Sequence, residues 1–324
     1  SPFITGSQFQ NIFFSKSEIS RSLSPSFYNI RNLQVNQVKF SYFQNTPIIY
    51  EKEEETDILN WVYYQSPLYN IYNETIYIEK TLFSHCQSQN SGGGIHYVNK
   101  NGLFDAINTY FYNCVSYMQG GGAYIKCSEI QLDSIIFTLC NGVNSQAGYF
   151  ETSIYSDFNL ILIYNCFISS EVTYMGPVID INNNFEDSFF SPIATNINAS
   201  YNTIRTDILC PLISVKCVGF DYFAYYDMSF FTIFENVCPS EIECYGSDFI
   251  TIYAEYFNMI QNHISRSVFI ISGENFLFAS KCYIGHDYDV HYFPKQTPDP
   301  TQSPYPTIIP PTAPNFTLNS INER

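Results

Sequence analysis

Basic residues are scarce in this sequence. Its 324 residues include 14 lysines and arginines against 30 aspartates and glutamates, which gives a formal net charge of −16. Proteins that bind nucleic acids or anionic membrane surfaces neutralise phosphate groups with clustered Lys and Arg. The composition therefore argues against both kinds of partner.

Long apolar runs are also missing. No stretch approaches the roughly 20 apolar residues that a membrane-spanning helix needs, so we expect no spanning segment. Because the sequence begins at Ser1 rather than Met, we expect that a signal peptide has been removed. Three Asn-x-Ser/Thr sequons and ten cysteines fit an oxidising, glycosylating secretory route and an extracellular or cell-surface location. The predicted sites of N-linked glycans are Asn73, Asn198 and Asn315.

Residues that favour helices are also scarce. The chain has one Trp, four Met and little Leu, whereas it has 29 Phe and 28 Tyr, and Ile, Asn and Ser are abundant. Aromatic and β-branched residues favour pleated strands, and Asn and Ser favour turns. This composition predicts an all-β fold.

What the sequence does contain is a repeat. Four cysteines follow one another at spacings of 28, 26 and 26 residues, with an apolar residue three positions before each. Small residues follow at matching places, as in Gly92–Gly94 and Gly120–Gly122. The cysteines are Cys86, Cys114, Cys140 and Cys166, and the apolar residues are Phe83, Phe111, Phe137 and Ile163.

Weaker forms of the unit extend the repeat over most of residues 1–292. A period of about 27 residues with alternating apolar positions is typical of one turn of a parallel β-helix, whereas ankyrin or tetratricopeptide units need helices and a propeller blade needs about 40 residues. We therefore predict a right-handed, pectate-lyase-like parallel β-helix with an N-terminal cap over residues 1–292. In such a fold equivalent residues form columns, because each turn is stabilised by its neighbours.

The cysteine repeat has two interpretations. Stacking places neighbouring Cα atoms about 4.8 Å apart, which a disulfide tolerates, but parallel side chains meet its torsion poorly. We therefore favour a column of buried free thiols. Cys238 with Cys244, and Cys210 with Cys217, are close enough in sequence to close small disulfide loops, although connectivity does not follow from sequence. No Cys-x-x-Cys pair is present, which argues against zinc.

The repeated motif is Phe-x-x-Cys followed by a glycine run and an apolar residue, as over residues 83–95 and 111–124. It resembles the repeats of chlamydial polymorphic outer membrane proteins, and similar repeats occur in protist surface proteins, which the Asn, Tyr and Ile bias suits. The resemblance covers about a third of the chain. It implies a parallel β-helix displayed on a surface, with adhesion or coat roles and no catalytic set.

Metal sites have two candidates in the sequence. Asp287, Asp289 and His291 would share one face of a strand, and the acidic segment 51–57 offers oxygen ligands that suit calcium. A solvated end of the fold and a protruding acidic loop are the interpretations we favour, because adjacent like charges repel unless solvated. We expect no cofactor and no metal.

The last segment changes character. Eight of the sixteen prolines lie within residues 293–324, which predicts an extended, polyproline-like tail. We expect this tail to pack along a neighbouring copy of the chain, and a stalk that leads to a cell-surface anchor is the alternative.

These observations favour a non-enzymatic extracellular structural or adhesion protein that assembles with copies of itself through its ends and its tail. The alternatives are a carbohydrate-active enzyme and a glycan-binding module. Converging acids with a basic residue in a surface groove would favour the enzyme. A row of exposed aromatic residues would favour binding of glycans or of other cell-surface ligands.

Overall fold

The structure is a computed structural model. It describes residues 2–5, 11–51, 74–164, 166, 177–185, 193–204, 210–219, 224–246, 250–272 and 276–285. Within these ranges every regular element is a β-strand and no helix occurs. All pairings between these strands are parallel. The predicted all-β class is therefore confirmed, and its main element is a large parallel sheet.

Twenty-five strands are present in the described ranges. The first thirteen are β1 (Ile4–Thr5), β2 (Ile12–Ser20), β3 (Phe27–Tyr28), β4 (Asn32–Ser41), β5 (Ile48–Glu51), β6 (Thr75–Glu79), β7 (Leu82–Ser84), β8 (Gln87–Ser88), β9 (Ile95–Ile107), β10 (Tyr110–Tyr112), β11 (Val115–Gln119), β12 (Ala123–Thr138) and β13 (Asn141–Asn144). The remaining twelve are β14 (Gly148–Tyr164), β15 (Ile179–Phe185), β16 (Ile193–Ser200), β17 (Pro211–Gly219), β18 (Ala224–Ser229), β19 (Thr232–Phe234), β20 (Val237–Gly246), β21 (Ile250–Glu255), β22 (Asn258–Ile260), β23 (His263–Ser272), β24 (Phe276–Ser280) and β25 (Tyr283–Gly285).

The strands pair with strands one repeat earlier and one repeat later in the chain. Strands β8, β11 and β13 form a small sheet, and the other 22 form one large sheet. Within the large sheet three parallel ladders can be followed. The first contains Ile78, Ala106 and Leu132. We call the second, which contains Phe111, the phenylalanine ladder, and the third, which contains Ala123, the outer-strip ladder.

Two sharp corners recur in each repeat. One follows the first ladder and the other follows the phenylalanine ladder, and at each a non-glycine residue has a positive φ. A left-handed backbone conformation costs an L-residue about 1–2 kcal/mol. Because this conformation recurs in successive repeats, we infer that the strand pairing on both sides of each corner stabilises it. Examples in consecutive repeats are Lys80, Asn108, Ser134 and Leu160 at the first corner and His85, Asn113 and Leu139 at the second.

The glycine runs allow close approach of neighbouring layers. Gly92 and Gly120 have φ of 74° and 64°, which only glycine adopts at low cost. A Cβ atom on Gly122 would lie 2.7 Å from the ring of Phe137, and one on Gly94 would lie 2.9 Å from the ring of Phe111. Side chains at these positions would therefore displace the rings of the phenylalanine ladder.

The core of the molecule is the inward face of the three ladders. In the phenylalanine ladder Phe83 pairs with Phe111, and Phe111 pairs with Phe137. Their rings stack at centroid distances of 5.0 and 4.8 Å, with interplanar angles of 8° and 10°. All three side chains are buried. The column continues in register as Ile163, Ala199, Ile233 and Met259.

The residue contacts divide the chain into Ser1–Phe293 and Pro294–Arg324. The second part lies outside the described residues, so the extended tail stays a prediction. No described strand pairs with the outer edges of β1 and β2, and the predicted N-terminal cap is not among the described elements.

Replacement of Phe111 by Ala removes the middle ring of the stack. We expect a loss of about 3–5 kcal/mol in the free energy of unfolding, because layers on both sides hold the cavity open. Urea unfolding followed by circular dichroism measures this loss. Tyr117→Ala is the control, since Tyr117 is 57% exposed and should change stability by about 0.5 kcal/mol or less. Equal effects of the two substitutions would contradict the stacked core.

Candidate functional site

A column of polar side chains runs through the interior beside the phenylalanine ladder. Each member stands three residues after a member of that ladder and is buried. The column contains the four predicted cysteines and then changes to asparagine in the later repeats. Its members are Cys86, Cys114, Cys140, Cys166, Asn202, Asn236 and Asn262.

Cysteine and asparagine use the same acceptor in this column. The Cys114 thiol donates to the Phe83 carbonyl oxygen, one repeat earlier, at 3.5 Å. The Nδ2 of Asn236 donates to the carbonyl oxygen of Ala199 at 2.8 Å. Phe83 and Ala199 occupy the same position of the phenylalanine ladder in their repeats. The two residue types therefore satisfy one recurrent backbone carbonyl.

The asparagine part of the column carries additional hydrogen bonds. The Oδ1 of Asn236 accepts from the backbone N–H of Asn202 at 2.8 Å and from its Nδ2 at 3.0 Å. Asn262 receives the same two bonds from Asn236. These bonds satisfy buried backbone groups at the second corner, where regular strand pairing is interrupted. The column thus stabilises the corner between consecutive layers.

The four cysteines of the column are free, buried thiols. Burial raises the pKa of the thiols of Cys114 and Cys166 well above the ordinary range. They therefore stay protonated at neutral pH and can act as hydrogen-bond donors.

The two small disulfide loops suggested by the sequence are not formed. Cys238 and Cys244 lie on one strand, β20, whose extended backbone separates them by about 20 Å. A disulfide requires Cα atoms within about 7 Å. Cys210 directly precedes β17 and Cys217 lies within it, so the same objection applies. Closeness in sequence gave the wrong expectation because both segments are extended.

Other predicted sites fall mainly outside the described residues. This is true of Asp287, Asp289, His291, Asn73 and Asn315, and of residues 52–57. Asn198 lies in β16, half-buried, and its Oδ1 accepts a hydrogen bond from Ser200. In the ranges that the structure describes, no group of three or more His, Cys, Asp or Glu side chains is arranged to hold a metal ion. No helix there is long and apolar enough to cross a membrane.

The outward face of the outer-strip ladder carries aromatic and charged side chains in rows. Two rows of side chains run across neighbouring strands of this face. We call the nine residues together the outer strip. They are His96, Tyr124, Tyr149, Asp180 and Ser214 in one row and Lys126, Glu151, Asn182 and Lys216 in the other.

The aromatic part of the outer strip is a stack of three rings. His96 stacks on Tyr124 and Tyr124 stacks on Tyr149, both at a centroid distance of 5.1 Å and with interplanar angles near 20°. In the next layer the row continues with Asp180, which pairs with Tyr149 in the ladder. The stack of rings therefore ends at Tyr149.

Charged groups of the outer strip are arranged as opposite pairs. The Lys126 ammonium lies 2.9 Å from Glu151 Oε2 and about 5.5 Å from the ring centres of Tyr124 and Tyr149. The Tyr149 hydroxyl donates to the same Glu151 carboxylate at 2.7 Å. In the following layers the Lys216 ammonium lies 3.8 Å from Asp180 Oδ2. The strip thus carries both signs of charge in balance.

Asp180 and its two polar neighbours are incompletely satisfied. Asp180, Asn182 and Ser214 are 6%, 7% and 2% exposed. Among the described residues, Asp180 Oδ1, Asn182 Nδ2 and Ser214 Oγ have no partner within normal hydrogen-bond geometry, although Ser214 and Asn182 lie close enough to the Asp180 carboxyl to favour its charged form. Burial raises the pKa of Asp180 above its ordinary value, and Lys216, with Ser214 and Asn182 beside it, opposes that rise.

Sequence reasoning did not identify the outer strip. The alternation after the glycine runs indicated which residues of β9 and β12 point outward, including His96 and Tyr124. The connections between β14, β15 and β17 are longer and differ in length. The spacing along the sequence therefore did not align Asp180 and Lys216 with the outward residues of β9 and β12.

No protein-family model, no curated protein and no solved structure matches this chain.

Replacement of Asp180 by Asn removes a buried carboxyl whose pKa is raised in the folded protein. Such a group stabilises the fold only at low pH, and its contribution is lost as the pH rises above the ordinary aspartate value of about 4. We therefore expect Asp180→Asn to be more stable than the parent at pH 7, with the difference shrinking toward pH 3.

Thermal melts across this pH range measure the effect. Asp227→Asn, at an exposed position of β18, is the control and should show a much smaller change. A loss of stability in Asp180→Asn at pH 7 would contradict this account of the outer strip.

Replacement of Asn236 by Ala removes a donor to Ala199 and the acceptor for Asn202. We expect a loss of about 2–4 kcal/mol, because more than one buried group loses its partner. Asn236→Cys should cost about half as much, since a thiol can still donate to the Ala199 carbonyl. Asn90→Ala, at an exposed position, is the control. If urea unfolding gives equal stability for Asn236→Ala and Asn90→Ala, the column has no stabilising role.

Proposed function

We propose that the chain is a non-enzymatic structural or adhesion protein of a cell surface or an extracellular filament, folded as a right-handed parallel β-helix. The observation that supports this most is the unbroken register of the phenylalanine ladder from Ile19 in β2 to Met259 in β22. Layers held in this way form a stiff scaffold whose outward side chains are presented in fixed rows.

The N-terminal edge supports assembly with further copies. Strands β1 and β2 have outer edges that no described strand covers, and free strand edges pair readily with other strands. Large apolar side chains are also exposed near this edge: Phe3 at 72%, Phe13 at 66% and Leu23 at 73%. A second copy that stacks on this edge would continue the ladders and cover these side chains. End-to-end stacking of this kind gives filaments, because the contact is heterologous.

A surface location remains consistent with the repeat's resemblance to polymorphic outer membrane proteins and protist surface proteins. The secretory route, the N-linked glycans at the three sequons and the packing of the proline-rich tail on a neighbouring copy belong to the same proposal. All three would apply to a stable scaffold that lies outside the cell.

Electron microscopy of the purified full chain tests this proposal. We expect end-to-end assemblies whose length increases with concentration, and we expect Phe13→Lys to shorten or dissolve them, because a lysine at a strand edge opposes pairing. Tyr117→Lys is the matched control, since Tyr117 is also exposed but lies on β11, away from that edge. If the parent protein stays monomeric at every concentration, the proposed end-to-end assembly is wrong.

A carbohydrate-active enzyme is the second candidate, and one observation favours it. Glu151 and Asp180 lie on neighbouring strands, two positions apart in register on one outward face. This arrangement places their Cα atoms about 8 Å apart, and glycosidases act through a pair of carboxyl groups that flank the scissile bond. Release of reducing ends from a glycan, lost in Glu151→Gln, would establish this function instead.

A further inference from the structure

We infer that the N-terminal edge of one copy receives the C-terminal edge of another in a single register, in which Glu18 pairs with Tyr283 and Ile19 pairs with Ile284. This inference rests on the proposed assembly function and deepens it, because it names the surface of the partner and the alignment of the two edges. The contact repeats the parallel pairing that joins consecutive layers within one chain.

The apolar core is open at the N-terminal end. Phe14 and Ile19 lie in columns of the core, but both are only partly buried. Their partners one layer further in, Val35 and Phe40, are 0% exposed. A core residue of a stacked repeat is covered by the layers on both sides of it. Within the described part of the chain, Phe14 and Ile19 therefore lack the layer on their outer side.

The core is open in the same way at the C-terminal end. Cys282 continues a column whose preceding members, Phe231 and Phe257, are each 1% exposed. Cys282 itself is only partly buried, and the adjacent Tyr283 is 40% exposed. No described strand pairs with the outer edges of β24 and β25. The last described layer therefore presents free strand edges together with an uncovered part of the core.

The phenylalanine ladder gives the alignment of the two ends. Its member in the first layer is Ile19, and the ladder continues from Met259 to Ile284 in the last layer. A copy added in the same register places its Ile19 after Ile284, so that its Glu18 follows Tyr283 on the outward face. A shift by one residue would turn the outward side chains of the added strand toward the core.

The corners of the two ends coincide only in this register. Lys16 and Lys281 have φ of 48° and 53°, and each stands three residues before the ladder member of its layer. A shift of two residues would set a corner of one copy against a straight strand of the other. The two lysines carry like charges, but the Lys281 ammonium lies 4.3 Å from the ring centre of Tyr256 and donates to its hydroxyl at 2.5 Å. Lys281 is therefore directed toward the preceding layer and away from the joint.

A second N-terminal edge is a poorer partner for this surface. Two identical edges that share one core are related by a two-fold axis and run antiparallel, whereas all pairings between the described strands are parallel. Such a dimer would also leave both C-terminal ends open. The C-terminal edge instead continues the ladders and covers Phe14, Ile19 and Cys282 in one contact.

Disulfide trapping in the full chain tests the register. We expect Glu18→Cys combined with Tyr283→Cys to give covalent dimers, trimers and longer products with oxidised glutathione. The physical reason is that paired residues of parallel strands lie about 4.8 Å apart, and a disulfide tolerates Cα separations of up to about 7 Å. Non-reducing gel electrophoresis measures the products. All variants carry Cys282→Ser, because Cys282 is partly buried and lies beside the joint.

Ser20→Cys combined with Tyr283→Cys is the matched control. Ser20 is exposed and lies on the same outward face as Glu18, but it is two positions out of register, which places the Cα atoms about 8 Å apart. We expect at least fivefold less covalent product from this pair and none from Glu18→Cys alone. Circular dichroism verifies that each variant is folded.

Three results would overturn the inference: no product from the matched pair, equal products from the matched and shifted pairs, or covalent dimers of Glu18→Cys alone, which would mean that two N-terminal edges meet. If electron microscopy shows end-to-end assemblies of the parent in any of these cases, the register is wrong and the proposed scaffold function stands. If the parent is also monomeric in electron microscopy, the assembly itself is wrong.

Discussion

In-register pairing of each repeat with the next is the interaction on which the rest of this structure depends. When a residue pairs with its equivalent one repeat later, side chains of the same type are brought together in columns about 4.8 Å apart per layer. The stacked rings of Phe83, Phe111 and Phe137 are one such column. A single repeat cannot bury these rings, so the stability of each layer is a property of its neighbours.

The same register explains why different residue types replace one another within a column. The corner after the phenylalanine ladder leaves a backbone carbonyl that needs a donor in every layer. Cys114 supplies a thiol and Asn236 supplies an amide, each to the carbonyl one repeat earlier. The asparagine also donates its backbone N–H and its side-chain amide to the next asparagine. The hydrogen bond to the carbonyl is therefore repeated along the column, whereas the side chain that donates it changes from cysteine to asparagine.

On the outward face the stack of aromatic rings ends at Tyr149. As long as aromatic residues follow one another, their ring faces are occupied by each other and the surface is closed. The change from Tyr149 to Asp180 ends the aromatic stack and places a buried carboxyl group in the next layer of the same row.

The sequence by itself determined the strand-rich class and the period of the central repeats, because the Phe-x-x-Cys spacing is set by the length of one layer. It did not reveal that Asn202, Asn236 and Asn262 continue the cysteine column, since longer connections between later strands disturb the spacing although the ladder register persists. It also suggested disulfides between Cys210 and Cys217 and between Cys238 and Cys244, which are separated by the extended backbone of β17 and β20. Only the tertiary structure brought Tyr149, Asp180 and Lys216 onto one face, because their proximity depends on backbone pairing between layers and not on separation along the chain.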